Sequence, residues 1–133
     1  MLRAIIVSDP SDTRREQALR FGATDAIDPT EADVVAATMA LTGIGADLAF
    51  DAVGSAGLVQ SAMDATRNGG TTVMVGAAPI DDVVSVSPAA TMFTEKRLAG
   101  SLLGSCWAPR DIPRLVELWR SGRLDLDAMV TAR

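Results

Sequence analysis

The sequence predicts an α/β domain organised on a parallel sheet of about five strands. Three observations carry that expectation. Short β-branched, apolar runs recur at residues 4–8, 26–28, 48–53, 71–76 and 97–104. Amphipathic segments of helical length separate most of them. The runs are also mostly continuous rather than alternating, the pattern of parallel strands covered on both faces.

Taken in order, IIVS is the first strand and SDTRREQALRFGA the first helix. Ser11 or Asp12 can accept hydrogen bonds from the free amides of a new helix, and Gly22 can take the left-handed conformation that ends one. Ala18, Leu19 and Phe21 are expected to face inward. A second helix is read over residues 31–41, ending at TGIG. A third spans 54–67, with Leu58, Val59, Ala62 and Met63 at helical spacing and Gly69-Gly70 as terminator. Beyond Gly76, AAPIDDVVSVSPAA holds two prolines and an acid pair, and reads as a loop with a short extended piece at 83–86. Residues 88–95 make a short helix and 110–121 a longer one, whose Ile112, Leu115, Val116 and Trp119 form a packing stripe. No repeat, low-complexity tract or linker interrupts the chain, so a single domain over 1–133 is expected.

Composition narrows the chemistry. A chain of 133 residues buries roughly 65 to 70% of its unfolded surface, enough for one core. The net charge of −5 opposes a phosphate backbone, which makes nucleic acid an unsuitable partner. AIIV is too short for a signal peptide or a membrane span, so a cytoplasmic location is expected. There is no histidine and one cysteine, Cys106, which leaves no imidazole base and no multi-cysteine metal site. Cys106, beside Trp107, reads as a small buried hydrophobe with no assigned role.

The most informative residue is Asp9, placed directly after the first strand. A carboxylate there can accept hydrogen bonds from both hydroxyls of a ribose, and its charge repels a phosphate on the 2′ oxygen, favouring NAD over NADP. The same residue can also be only part of a turn and helix cap, Asp9-Pro10-Ser11-Asp12, and local sequence leaves the two readings open. DAVGSAG at 51–57 and VGAAP at 75–79 put small residues at two further strand ends, where open α/β sheets bind ligands. Glycines at these places also serve ordinary strand-to-helix turns.

The whole chain resembles the coenzyme-binding Rossmann domain of the zinc-dependent, medium-chain alcohol dehydrogenases, from its second strand onward. The resemblance is carried by IIVSDPSDTRREQALRFGATDAIDP, GADLAFDAVGS, NGGTTVMVGAAP and RLAGSLLGSCWAPRDIPRLVELWRSGRLDLDAMVT, in that order and spacing. It implies that Asp9 holds the adenosine ribose, that Pro10 flanks the adenine, and that Arg14 reaches the same ribose or the adjoining phosphate. It places Val53 and Gly54 on the adenosine and nicotinamide-ribose side. Backbone groups of Val75, Gly76, Ala77, Ser101 and Leu103 are implied to meet the nicotinamide carboxamide. No catalytic residue and no metal ligand maps onto this chain.

The resemblance also implies what lies outside it. The family's first strand, glycine-rich turn and first helix fall upstream of Met1, so the pyrophosphate loses its ring of amides and weak or absent NAD binding is expected. The family's zinc domain is likewise outside, and zinc is expected in the parent family only. In the family's sheet order, 3-2-1-4-5-6, the missing strand is central, which leaves two inner edges unpaired. These can close on each other, pair with a second copy, or accept a strand from a complementary chain. Self-association is the expectation, because the family dimerises through the region matching residues 83–104.

The reading is therefore a fragment of an NAD-dependent alcohol dehydrogenase, inactive alone. A non-catalytic oligomerisation or nucleotide-binding module is the alternative. A receiver-like signalling domain is more remote: Asp9, Asp12 and Asp51 imitate its acidic trio, but Lys96 precedes the fifth strand instead of following it. A methyltransferase core would need the same glycine turn.

Overall fold

The computed structural model describes residues 4–130, which fall into two compact units, 4–101 and 102–130. The first contains β1 (Ile6–Ser8), α1 (Asp12–Arg20), β2 (Asp25–Ile27), α2 (Val34–Thr42), β3 (Ala46–Asp51), α3 (Ala56–Ala65), β4 (Thr66–Met74), α4 (Pro88–Thr94) and β5 (Arg97–Gly100). The second contains α5 (Ala108–Arg120) between short 3₁₀ turns at Leu103–Ser105 and Asp127–Met129.

The expected parallel α/β class is what the chain adopts, with five strands in two sheets among the described residues. β1 pairs with β2, and β3-β4-β5 form a separate sheet with β4 in the middle; every pairing is parallel. A parallel neighbour cannot be reached by a hairpin, and α1 and α3 supply the required crossovers. α1 packs on β1 and β2, α3 on β3 and β4, and α2 against α3 and β3. The edges of β1 and β3 do not close on each other.

Local signals explain most helix ends. Asp33 caps α2 by accepting the Ala36 amide at 2.8 Å, and Gly43 ends it in the left-handed region at φ 81°. Ser55 and Ser87 cap α3 and α4 through their hydroxyls. Gly22, at φ 105°, follows α1 as expected. Ser11 is the N-cap of α1, but its side chain makes no capping bond. The Asp9 carboxylate instead accepts the Ser11 amide at 2.8 Å, closing a turn one step earlier.

Three expectations are corrected. Gly69-Gly70 does not end a helix, because α3 stops at Ala65. The pair lies in a bulge of β4: Thr66 and Thr71 pair with Ala46 and Leu48, so four residues on β4 oppose one on β3. A Cβ on Gly70 would meet the Thr66 methyl at 2.4 Å and the Arg67 carbonyl at 2.9 Å, which explains glycine there. β5 ends at Gly100, and Leu103 to Ser105 instead turn through positive φ values. Leu19 and Phe21 of the first helix region are not inward-facing but substantially exposed.

The sheet is covered unevenly. In a parallel sheet, paired residues share a face, so Asp51 and Thr72 lie opposite to Leu48, Phe50 and Val73. α3 covers the face of Asp51 and Thr72, both buried. Leu48 and Phe50, on the other face, are 54% and 64% exposed, so within this unit β3 is not covered on both faces.

The buried centre joins Ile27, Val59 and Ala65 with the polar Thr38, Asp51, Thr66 and Thr72. Thr66 Oγ1 donates to the Ala62 carbonyl at 2.7 Å, which consumes its one hydrogen. The 3.1 Å contact between the Thr66 and Thr72 hydroxyls is therefore donated by Thr72. Replacing Thr66 by Val removes both bonds, whereas Thr72→Val removes one. Chemical denaturation is expected to show a loss of about 2 kcal/mol for T66V and about 1 kcal/mol for T72V. Equal losses would mean that the two hydroxyls are not linked in this order.

Candidate functional site

The carboxyl ends of the strands gather the candidate residues into two groups. At the end of β1, Asp9 is partly buried. Its Oδ1 accepts the Ser11 amide at 2.8 Å, and its Oδ2 faces the Arg14 guanidinium at 3.6 Å. Its own amide donates to the Ile27 carbonyl at 3.3 Å, extending the β1–β2 ladder by one bond. Pro10 is exposed beside it. Turn-forming and ligand-holding roles are compatible here, because the turn uses only one of the two carboxylate oxygens.

Sequence reasoning missed two residues of this group. Arg15, next to the implicated Arg14, is mostly buried and donates to the Asp9 carbonyl at 2.6 Å, to Asp28 Oδ2 at 2.8 Å and to Asp12. Asp28 stands just past the end of β2. Its carboxyl is held below the ordinary aspartate value, chiefly by the Thr30 hydroxyl, then by the Thr30 amide and Arg15. The available signal was helical geometry: consecutive residues point about 100° apart, so only one of two adjacent arginines can lie over the strand ends.

At the ends of β3 and β4 the structure brings Val53, Gly54, Val75, Gly76 and Ala77 together. Asp51 organises them and was also missed. It is only 5% exposed; its carboxylate accepts the amides of Val53 at 3.2 Å and Gly54 at 2.9 Å. Its carbonyl accepts the amides of Val75 at 2.8 Å and Gly76 at 2.9 Å. The spacing D-A-V-G was the legible sign, since an aspartate commonly accepts amides two and three residues on.

The two glycines serve this packing directly. A Cβ on Gly76 would fall 2.2 Å from the Gly54 nitrogen, and one on Gly54 would fall 2.5 Å from the Ala77 carbonyl carbon. Chain against chain thus accounts for both, as ordinary turn glycines. Val53 and Val75 remain exposed around them. At the start of α3, Asp82 Oδ2 accepts the Ala56 amide at 2.7 Å and the Ser55 hydroxyl accepts that of Leu58 at 3.3 Å.

Ser101 stays with the first unit, donating its amide to the Met74 carbonyl at 2.9 Å. Leu103 belongs to the second unit, where it sits at φ 49°. There it lines a cavity of about 380 Å³ with Gly104, Cys106, Asp111, Arg114 and Leu115. Cys106 is exposed in that unit, which corrects its reading as a buried hydrophobe. Ile112, Leu115 and Trp119 of α5 are likewise about half exposed, and Trp119 Nε1 donates to Asp127 at 3.1 Å. Lys96 donates to the Met63 carbonyl at 2.7 Å, so it is tied to α3 and not to the acidic trio of a receiver.

Parallel strands joined by helical crossovers, with small residues and an acid at their carboxyl ends, define a Rossmann-type α/β class. A solved benzyl alcohol dehydrogenase from Acinetobacter calcoaceticus matches 94% of this chain and 34% of its own, with a TM-score of 0.88 and 29% identity. A zinc-binding dehydrogenase from Sinorhizobium meliloti 1021, solved bound to NADP, matches 97% of this chain and 37% of its own, at a TM-score of 0.84 and 29% identity. In sequence, an NDMA-dependent alcohol dehydrogenase from Amycolatopsis methanolica is 39% identical over 134 residues, 97% of this chain and 36% of the relative.

Residues 2–121 match the zinc-binding dehydrogenase family, and the chain belongs to it. It spans about a third of the length of the curated relatives it matches. Among the described residues, no group of three or more His, Cys, Asp or Glu side chains is placed to hold a metal ion, so these residues do not fit the family's zinc. No helix among them is long and apolar enough to cross a membrane.

Because the Asp28 carboxyl is held low in the folded chain, it contributes stability above the ordinary aspartate range and loses it as pH falls through the folded value. Unfolding midpoints measured from pH 7 down to about pH 2 are expected to fall below about pH 4. D28N should flatten part of that acid limb; an identical limb would remove Asp28 as its source.

Proposed function

We propose that this chain is the coenzyme-binding part of an NAD-dependent alcohol dehydrogenase, one NAD-binding domain over 1–133, and that its own residues recognise the adenosine half of the cofactor. The placement of Asp9 carries this reading. Its carboxylate stands at the end of a parallel strand with Oδ1 engaged by the Ser11 amide and Oδ2 turned toward the exposed Arg14. A ribose diol presented there meets an acceptor whose orientation is already set, while a 2′-phosphate meets like charge. Pro10 offers an apolar edge to the adenine.

Val53 and Gly54 take the adenosine and nicotinamide-ribose side, and Val75, Gly76, Ala77 and Ser101 meet the nicotinamide carboxamide through backbone groups. NAD, when bound, supplies the hydride acceptor for alcohol oxidation. The chain's own part is to hold and orient it, and its affinity is weak because no amide ring for the pyrophosphate is among these residues. The amides of Val53 and Gly54, in the turn before α3, and of Ala56, at its start, are already taken by Asp51 and Asp82. The chain alone is inactive, since its described residues do not fit the zinc that polarises the substrate oxygen. It works in the cytoplasm, either as a homodimer through residues 83–104 or with a complementary chain that adds a strand between β1 and β3. The exposed side chains of β5, an edge strand, support the first arrangement.

NADH and NADPH titrations of the purified chain, by fluorescence and calorimetry, test this reading. The wild type is expected to prefer NADH. D9A should weaken NADH binding by about tenfold, the loss of a hydrogen-bonded charged acceptor, and improve NADPH binding relative to it, because Arg14 remains while the repelling carboxylate is gone. Unchanged affinity for both would reduce Asp9 to a turn residue.

A further inference from the structure

The β1–β2 sheet is small: two strands of three residues each. So short a ladder holds its carboxyl ends weakly, and Asp9 and Asp28 stand just beyond it. Arg15 spans both. One guanidinium nitrogen donates to the Asp9 carbonyl at 2.6 Å, and the other donates to Asp28 Oδ2 at 2.8 Å and to Asp12. The Arg15 side chain is 15% exposed, against 74% for Arg14. A planar, permanently charged fork is suited to bridging two strand ends at a fixed separation, which an ammonium group cannot reproduce.

We propose that Arg15 is a positioning residue for ribose recognition: it fixes the main chain of Asp9 against β2, so that the carboxylate is aimed before the cofactor arrives. The inference rests on the reading of Asp9 as the ribose acceptor. With the Asp9 carbonyl held by Arg15 and Oδ1 held by Ser11, Oδ2, which faces the exposed Arg14 at 3.6 Å, is the oxygen left to accept from a ligand, and little ordering is left for binding to cost. Arg14 lies against the carboxylate from the solvent side and Arg15 holds the backbone from the sheet side, so the two neighbouring arginines have different tasks.

The test compares adenosine 5′-monophosphate with its 2′-deoxy analogue on the purified chain, by NMR-detected titration. General damage weakens both ligands alike, whereas a lost aim at the diol lowers only their ratio. Wild type is expected to prefer the ribonucleotide by about tenfold, one charged hydrogen bond's worth. In R15Q the ratio should approach one with deoxynucleotide affinity unchanged, and R15K should fall between. If R15Q fails to fold by circular dichroism, the ratio is read on R15K and on D28N, and both are expected to lie below wild type. A wild-type ratio in folded R15Q, or in both R15K and D28N, overturns the proposal and leaves Asp9 as ribose acceptor. No discrimination by the wild type overturns the Asp9 reading, and this inference with it.

Discussion

Asp51 is the point on which the candidate site depends. A buried carboxylate is costly unless its oxygens are matched by donors, and here the amides of Val53 and Gly54 match them. The carbonyl of the same residue receives Val75 and Gly76. One residue therefore joins the end of β3, the turn into α3 and the end of β4. The contact between Gly54 and Gly76 exists because these four bonds draw the two chain segments together. Small residues at those strand ends follow from backbone packing, and the exposed Val53 and Val75 are left as the surface a ligand would meet.

A second constraint is the parallel arrangement itself. Each strand depends on a helix to reach its neighbour, and a strand without a neighbour keeps a row of unpaired amides and carbonyls. β1 and β3 each keep such an edge among the described residues. The two sheets are linked through α2, which leaves β2, packs against α3 and enters β3. Leu48 and Phe50, exposed on the face that α3 leaves open, continue the same deficit in apolar form. The solved dehydrogenases that match this chain at TM-scores of 0.88 and 0.84 are about three times as long, so they contain further chain beyond the matched part.

Strand positions were legible in the sequence because short apolar runs are local signals, and each of the five runs overlaps a strand. The stop at Gly43 was legible for the same reason, whereas the caps Asp33 and Ser55 fall inside the helices read over 31–41 and 54–67. What could not be read was anything set by a distant partner. Gly69-Gly70 resembles a helix stop until the register of β4 against β3 shows a bulge. Within the site, Asp9 stood out because its chemistry is unusual at a strand end, whereas Arg15 was hidden beside Arg14. Which of them turns inward is decided by how α1 lies on β1 and β2, a tertiary fact. Asp51 was legible only as an acid, because nothing in the sequence shows it receiving β4.

The central claim is that carboxyl ends from both sheets form one coenzyme surface. Amide chemical-shift mapping of the chain titrated with NADH tests it most directly. Concerted, saturable shifts at Asp9 and Ser11 together with Gly54, Gly76 and Ala77 are the expected result. Shifts at only one of these groups, or confined to other residues, would contradict it.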